Sequence, residues 1–128
     1  MKINVIAVDF DGTLCKNKYP KVGRLCSEGI EILKKFRKNG GEVILWTCRY
    51  GKALQDAIDA CREAGLEFDA VNKNAPKHRM RWASVTGDTE LSRKVYADIY
   101  IDDREAHLCG EPVDWNKISD LLSRSGCY

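Results

Sequence analysis

Short apolar segments alternate with longer amphipathic segments along the chain. Residues 3–10 (INVIAVDF) are apolar and rich in β-branched side chains, which predicts a strand buried on both faces, as in a parallel sheet. Residues 27–40 place apolar side chains at helical spacing, with a stop at Gly40 and Gly41, so we expect a helix there with Ser27 as its N-cap. The N-terminal part of the chain therefore predicts one strand followed by one helix.

The same alternation continues toward the C-terminus. Further strands are expected at residues 42–48, 68–72 and 97–103, and further helices at residues 51–65 and 114–124. Asp114 is the expected N-cap of the last helix, whereas residues 73–93 are polar and irregular. Because strands and helices alternate with short links, the pattern predicts one three-layer, Rossmann-like α/β domain over residues 1–128, with a parallel sheet of four or more strands.

Charge and composition narrow the class of protein without identifying a partner. The 128 residues include 21 Lys and Arg and 19 Asp and Glu, and the resulting net charge of +2 does not favour general nucleic-acid binding. No export signal or membrane-spanning pattern is recognisable, so we expect a cytoplasmic protein with no membrane partner. The six cysteines form no CxxC pair, which favours reduced thiols over a zinc site or a disulfide framework.

Polar residues follow each of the four predicted strands at the point where the strand ends. They are Asp9 and Asp11 for the first strand, Thr47, Cys48 and Arg49 for the second, Asn72 and Lys73 for the third, and Asp102 and Asp103 for the fourth. In open α/β sheets, ligands bind beyond the carboxyl ends of the strands. Four polar strand ends together therefore indicate a single site at one edge of the sheet.

Asp9 and Asp11 stand one residue apart, although carboxylates this close repel each other. A bound cation would relieve that repulsion and would keep Asp9 ionised. Magnesium prefers oxygen ligands, and Asp9 and Asp102, at the ends of neighbouring strands, are suited to hold it. Gly12 allows a sharp turn after the strand, and its backbone can approach a phosphate group closely.

The segments DFDGTL and LWTCR, a later lysine and YIDD occur in this order along the whole chain. Together they resemble the motifs of the haloacid dehalogenase (HAD) superfamily of phosphohydrolases. The resemblance implies a HAD-like fold with a minimal cap, Mg²⁺ as cofactor, and phosphatase activity on a phosphate monoester through a phospho-aspartyl intermediate. The chain leaves room for only one short flap between its first strand and first helix, and substrate specificity in this family comes largely from caps.

The resemblance also implies roles for individual residues. Asp9 corresponds to the nucleophile, Asp11 to the general acid–base, and Thr47 to a phosphate ligand. The lysine that serves the phosphate normally precedes the last motif on a helix; Lys94 fits that place best, and Lys73 is its rival. The implied metal site comprises Asp9, Asp11, Asp102 and Asp103, and the residues implied in substrate binding are Gly12, Thr13, Cys48, Arg49 and Lys73.

Residues 73–81 (KNAPKHRMR) carry four basic side chains and no acidic one. One interpretation is a solvated surface loop, because charged runs usually face water. The other is a lip near the end of the third strand that attracts an anionic substrate. The sequence alone supports both interpretations.

Other functions also stay open. A phospho-receiver signalling domain has a similar length and sheet, but its phospho-accepting Asp follows the third strand, where this chain has Asn72. A non-catalytic binding module would keep the fold without turnover, although both Asp9 and Asp11 are present. Among enzymes, the expected substrate is a small-molecule phosphate ester, while a phosphotransferase and a polynucleotide-end phosphatase remain alternatives. A homo-oligomer is compatible with all of these.

Overall fold

The computed structural model describes residues 2–87 and 92–128. Its strands and helices alternate along most of the chain, as the apolar pattern predicts. In chain order they are β1 (Val5–Val8), β2 (Cys15–Lys18), β3 (Lys21–Leu25), α1 (Ser27–Lys38), β4 (Glu42–Leu45), α2 (Gly51–Glu63), β5 (Ala70–Val71), α3 (Pro76–Thr86), β6 (Ile99–Ile101) and α4 (Trp115–Arg124).

Four of the strands form one parallel sheet in the order β5-β4-β1-β6. Val8 at the end of β1 pairs with Leu45 on one side and with Ile101 on the other. The chain first builds outward from β1 to β4 and β5, and then returns to place β6 on the opposite side of β1. In such sheets, ligands bind in the crevice at the point where the strand order reverses. Here that crevice lies between the carboxyl ends of β1 and β6.

The two faces of the sheet bury different amounts of apolar surface. Helices α1, α2 and α4 cover one face and form a large core with it; their contributions include Ile30, Leu33, Phe36, Ala57, Cys61, Trp115 and Leu122. The other face carries a smaller cluster built mainly of alanine and valine side chains. Helix α3 begins beside this second cluster, because its N-cap Ala75 is buried in it, but α3 buries none of its own side chains. The predicted α/β fold with a four-stranded parallel sheet is therefore confirmed.

The two predicted helix caps have different outcomes. Asp114 caps α4 as expected, since its carboxylate accepts hydrogen bonds from the backbone N–H groups of Asn116 and Lys117 at 3.1 and 3.2 Å. The prediction for Ser27 is wrong, because Cys26 is the N-cap of α1 and Ser27 is already the first helical residue. No side chain caps α1 through a hydrogen bond.

Two elements in the structure were not predicted from the pattern. Helix α3 occupies most of the segment 73–93 that was expected to be irregular, and residues 88–91 of that segment lie outside the described residues. The sequence of α3 has no apolar stripe, and the helix buries no side chain. Pro76 in its first turn was the available signal for the start of a helix. The antiparallel hairpin β2–β3 is mostly polar and exposed, and it forms the flap between β1 and α1.

No helix within residues 2–87 and 92–128 is long and apolar enough to cross a membrane.

Candidate functional site

Three carboxylates meet in the crevice between β1 and β6. Asp9 follows β1, and Asp102 and Asp103 follow β6. The backbone N–H of Asp9 donates to the carbonyl of Ile101 at 2.9 Å, which continues the strand pairing up to the site. One oxygen from each of the three carboxylates lies within 4.8 Å of the other two. We call these three side chains the acidic cluster.

The acidic cluster is electrostatically strained. Burial, and then the neighbouring charge of Asp102, raise the pKa of Asp9 to about 7, although a hydrogen bond from Thr13 opposes the shift. Burial, and then the hydrogen bond and charge of Asp102, also raise the pKa of Asp103. A position that crowds carboxylates in this way is one where a cation would be stabilised.

The donor set fits a small divalent cation. An octahedral Mg²⁺ with ligands at about 2.1 Å requires ligand oxygens about 3.0 Å apart when adjacent and about 4.2 Å apart when opposite. The acidic cluster already holds its oxygens within 4.8 Å of one another, so small side-chain movements would complete three ligand positions. Other hard divalent cations prefer the same type of oxygen ligand.

Gly12 and Thr13 support the acidic cluster, and their groups are already engaged. Gly12 has a φ of +82°, and a Cβ placed there would lie 2.3 Å from an oxygen of Asp103. Its N–H donates to the carbonyl of Cys15. The buried Thr13 hydroxyl donates to Asp9 at 3.0 Å and accepts from the backbone N–H of Asp103 at 3.1 Å. Gly12 therefore lets Asp103 approach, and Thr13 orients Asp9; the expectation that these two residues also bind substrate stays a prediction.

Asp11 lies apart from the acidic cluster and pairs with Arg49. The guanidinium group donates to both carboxylate oxygens, with Nε to Oδ2 at 2.8 Å and Nη2 to Oδ1 at 2.7 Å. Arg49 is buried and Asp11 is partly buried, since the Arg49 side chain is 1% exposed and that of Asp11 is 18% exposed. The Asp11 carboxylate is consequently held by an arginine, whereas the implied metal site included it.

Arg49 cannot contact a substrate as expected, because every one of its five side-chain N–H donors is used. Besides the two bonds to Asp11, it donates to the carbonyl groups of Pro20, Lys21 and Ala53 at 2.7–3.0 Å. These contacts join the turn of the β2–β3 hairpin and the first turn of α2 to the chain after β1. Arg49 is therefore a clamp between Asp11 and the hairpin, and the sequence offered no signal for its buried partners.

Thr47 lies where β4 ends, and it is tied to the end of β5. Asn72 accepts from the backbone N–H of Thr47 at 2.8 Å and donates to its carbonyl at 2.9 Å, while adopting a left-handed φ of +53°. The Thr47 hydroxyl accepts from the N–H of Arg49 at 3.1 Å, which leaves its own hydrogen for another acceptor. Cys48 is exposed beside it.

The two candidate lysines occupy different surroundings. Lys94 is exposed in an irregular segment before β6, and not on a helix as the motif implied; its Nζ lies 5.3 Å from the ring centre of Tyr100. Lys73 follows Asn72 at the end of β5 and lines a cleft with Trp46. Within the described part of the chain, neither lysine contacts the acidic cluster.

Two clefts open beside the strand ends. One, of about 750 Å³, lies between the β2–β3 hairpin and the segment after β6, and its wall includes Gly12, Thr13 and Asp103. The other, of about 430 Å³, lies over Trp46 and Asn72. We call them the hairpin cleft and the Trp46 cleft.

The basic segment 73–81 is divided between the two edges of the sheet. Lys77, His78 and Arg81 line a small cleft at the amino edge, where Lys77 Nζ donates to the carbonyl of Gly40 at 3.4 Å. The interpretation of this segment as a lip beside the site is therefore wrong for Lys77 and Arg81. Arg79 lines the Trp46 cleft instead.

The chain is similar to a conserved protein from Bacteroides thetaiotaomicron whose structure has been solved. The two sequences are 37% identical, the match covers 97% of this chain and 92% of that one, and the TM-score is 0.77. At this identity and coverage, the chain belongs to the same family as that conserved protein. No family model matches the chain, and a search of curated proteins found no match.

Proposed function

We propose that the protein is a magnesium-dependent phosphohydrolase of the HAD type, with a minimal cap, which cleaves a phosphate monoester through a phospho-aspartyl intermediate on Asp9. One observation carries the proposal: the first aspartate of the DxDGT segment lies within 4.8 Å of the aspartates of the YIDD segment, at the switch point of the sheet. The choice of magnesium and of phosphate chemistry rests on the resemblance of the motifs.

In the first half of the reaction, a carboxylate oxygen of Asp9 attacks the phosphorus atom and the bond to the leaving oxygen breaks. The Thr13 hydroxyl donates to Asp9 Oδ2, and we assign the attack to Oδ1. Bound Mg²⁺ would offset negative charge on the phosphoryl group. The Thr47 hydroxyl and a lysine are placed in the same role by the motifs.

Asp11 completes the proton balance. As a carboxylic acid it gives its proton to the leaving oxygen, and as a carboxylate it takes a proton from the water that attacks the phosphoryl group. Hydrolysis then releases phosphate and restores the Asp9 carboxylate. Arg49 donates one hydrogen bond to each Asp11 oxygen, and each oxygen keeps a second lone pair on which Asp11 could carry the proton. Arg49 thus orients the acid–base group through direct contact.

The hairpin cleft suits a small substrate. Sites for small molecules commonly have volumes of about 300–1,000 Å³, and this cleft of about 750 Å³ adjoins Gly12, Thr13 and Asp103. The β2–β3 hairpin is the element inserted between β1 and α1, where it would act as the minimal cap. A small phosphate ester therefore suits the site better than the interior of a polymer.

The phospho-receiver alternative is less well supported. Such a domain needs an aspartate after the third parallel strand, and Asn72 is there with its side chain bonded to the Thr47 backbone. An amide in that place lacks the nucleophilic carboxylate that phosphorylation requires.

The test is a phosphate-release screen over sugar phosphates, nucleotides and phosphorylated acids, with magnesium or with excess chelator. Asp9→Asn should lower kcat at least about 10³-fold on any substrate that wild type hydrolyses, because an amide cannot form the acyl phosphate. Asp120→Asn, on the exposed side of α4, is the matched control and should keep wild-type activity. Wild-type turnover by a folded Asp9→Asn protein, or full activity in chelator, would overturn the proposal.

A further inference from the structure

The Trp46 cleft has a composition that the proposed chemistry does not require. Its wall contains three basic side chains, two apolar ones and two amides; among them are Trp46, Asn72, Lys73, Arg79, Arg93 and Val95. The volume of about 430 Å³ is enough for a small organic group. Within the described residues, no acidic side chain lines this cleft.

The Trp46 cleft lies next to Asp9 and on the same side of the sheet. The N–H of Trp46 donates to the carbonyl of Val8 at 2.8 Å, so Trp46 stands beside Asp9 across strands about 4.8 Å apart. Ala7 and Ile44 are both buried on the second face. Because side chains alternate along a strand, Asp9 and Trp46, each two residues further on, face that same side.

The positive charge of this cleft is not neutralised by the described part of the protein. Lys73, Arg79 and Arg93 are all exposed, and none of them forms an ion pair within residues 2–87 and 92–128. Arg37 and Arg49, by contrast, are each paired with an aspartate. Three neighbouring cations raise the local concentration of anions, and a guanidinium group binds carboxylate or phosphate through two hydrogen bonds.

The floor of the cleft is apolar and is attached to the proposed phosphate ligand. Val95 is 1% exposed, and Trp46 packs against the small core cluster. Asn72 links the cleft to Thr47 through two hydrogen bonds, so the floor and the Thr47 segment are held in fixed relation. The cleft therefore suits a group with an apolar body and an anionic end.

We propose that the Trp46 cleft binds a second anionic group, a carboxylate or a phosphate, on the molecule whose phosphate ester lies at Asp9. The substrate is then a small phosphorylated acid or a bisphosphate. This inference rests on the proposed function for its reacting group, but the binding that it describes is measurable without turnover.

The experiment compares substrates that differ by one anionic group. Glycerol 3-phosphate is paired with 3-phosphoglycerate for the carboxylate, and fructose 6-phosphate with fructose 1,6-bisphosphate for the phosphate. In at least one pair, kcat/KM should be about tenfold or more higher for the member with the additional anion, which is the effect of one productive charge-assisted contact. Which pair responds identifies the anion.

Arg79→Gln combined with Arg93→Gln should raise KM about tenfold for the compound that carries the additional anion, with little change in its kcat. Both constants should change little for the compound of the pair that lacks this anion. The matched control is Arg81→Gln, on the same helix as Arg79 but lining the cleft at the amino edge, and it should leave both values unchanged. Equal KM changes for both members of a pair, or none, would overturn the inference.

Calorimetric binding of the same compounds separates failure of this inference from failure of the proposed function. If no compound is hydrolysed, the proposed function fails, but selective binding of 3-phosphoglycerate or fructose 1,6-bisphosphate that is lost in the Arg79→Gln and Arg93→Gln protein still supports the anion site. Absence of selective binding by wild type would overturn the anion site, whether or not turnover is observed.

Discussion

The two edges of the parallel sheet use aspartate in opposite ways. At the amino edge, Asp98 accepts from the N–H groups of Asn4 and Val5 at 2.7 and 2.9 Å and from the Tyr96 hydroxyl at 2.6 Å. Burial opposes its charge, but these hydrogen bonds outweigh it and lower the pKa of Asp98. At the carboxyl edge, burial and Asp102 raise the pKa of Asp9 to about 7. Hydrogen bonds therefore stabilise the charge of Asp98 at the amino edge, whereas burial and a neighbouring carboxylate disfavour the charge of Asp9 at the carboxyl edge.

The same contrast separates the two arginine–aspartate pairs. At the amino edge, Arg37 holds Asp69 by two bonds of 3.0 and 2.9 Å, and Asp69 also accepts from the N–H of Val43. This pair is partly exposed, and it satisfies a backbone N–H of β4. The pair of Arg49 with Asp11 is more deeply buried and adjoins the acidic cluster. An arginine that donates two hydrogen bonds to an aspartate thus stabilises the fold at the amino edge. At the carboxyl edge the same type of pair positions a candidate acid–base group.

Removing the Arg49 clamp should have the largest effect. Arg49→Met leaves the partly buried Asp11 carboxylate without its partner, and it should cost about 3 kcal/mol of unfolding free energy, the lower end of the range for buried pairs. The activity of the folded fraction should also fall about 10²-fold, because Asp11 loses its orientation. Denaturant unfolding and phosphate release measure the two effects.

Arg37→Met is the matched control for the Arg49 clamp. It should destabilise the protein by less, since the Arg37 side chain is 32% exposed, and the folded protein should keep its kcat. If Arg37→Met lowered kcat as much as Arg49→Met, the proposed difference between the two pairs would be lost.

Lys94→Ala should reduce kcat about 10²-fold or more if this lysine stabilises charge on the transferring phosphoryl group. Lys73→Ala should affect kcat less, and should instead raise KM for substrates with a second anion, because Lys73 lines the Trp46 cleft. Steady-state kinetics on one substrate pair separates the two roles. A larger kcat loss for Lys73→Ala would assign the phosphate lysine to the end of β5.

Asp98→Ala should destabilise the protein by about 2 kcal/mol, because two strand N–H groups and a hydroxyl lose their acceptor. Since folding lowers the pKa of Asp98 from its ordinary value of 3.8, the charge-dependent share of this loss is full above pH 4 and disappears as the pH falls through the folded pKa. Denaturant unfolding at pH 7 and pH 3 measures it, with Asp120→Ala as the exposed control. Equal losses at both pH values would contradict the role of the charge.

Asp9→Asn should have the smallest effect on stability, and in the opposite direction. Folding raises the pKa of Asp9, so its carboxylate destabilises the metal-free protein as the pH rises above 3.8. At pH 8 and without metal, the variant should be more stable by about 1 kcal/mol, after allowance for solvent screening. Magnesium should raise the melting temperature of wild type more than that of the variant. A less stable metal-free variant would show that the acidic cluster is not strained.

The alternation of strands and helices and the position of the acidic cluster were predictable from the sequence for physical reasons. A parallel strand is apolar on both faces, and carboxyl ends of parallel strands meet at one edge, so Asp9 and Asp102 could be placed together without coordinates. The role of Arg49 was not predictable, because a charged residue after a strand usually faces water and nothing in its neighbours announces a buried partner.

Helix α3 shows a second limit of sequence analysis. Its side chains are not sorted into a buried and an exposed face, so the periodicity that reveals a helix is missing. As a result, the basic residues of this segment could not be divided between two edges of the sheet. Arg79 and Arg81, two positions apart, line different clefts only because a helix turns about 100° per residue.

The most direct test of the central claim is chemical trapping of the intermediate. During turnover of the best substrate, borohydride would reduce an acyl phosphate on Asp9 to homoserine, and peptide mass spectrometry would locate the change. We predict homoserine at position 9 in the wild type with substrate and magnesium, and none without substrate or in Asp9→Asn. Turnover with an unmodified Asp9, or trapping at Asp11 or Asp102 instead, would contradict the assignment of Asp9 as the nucleophile.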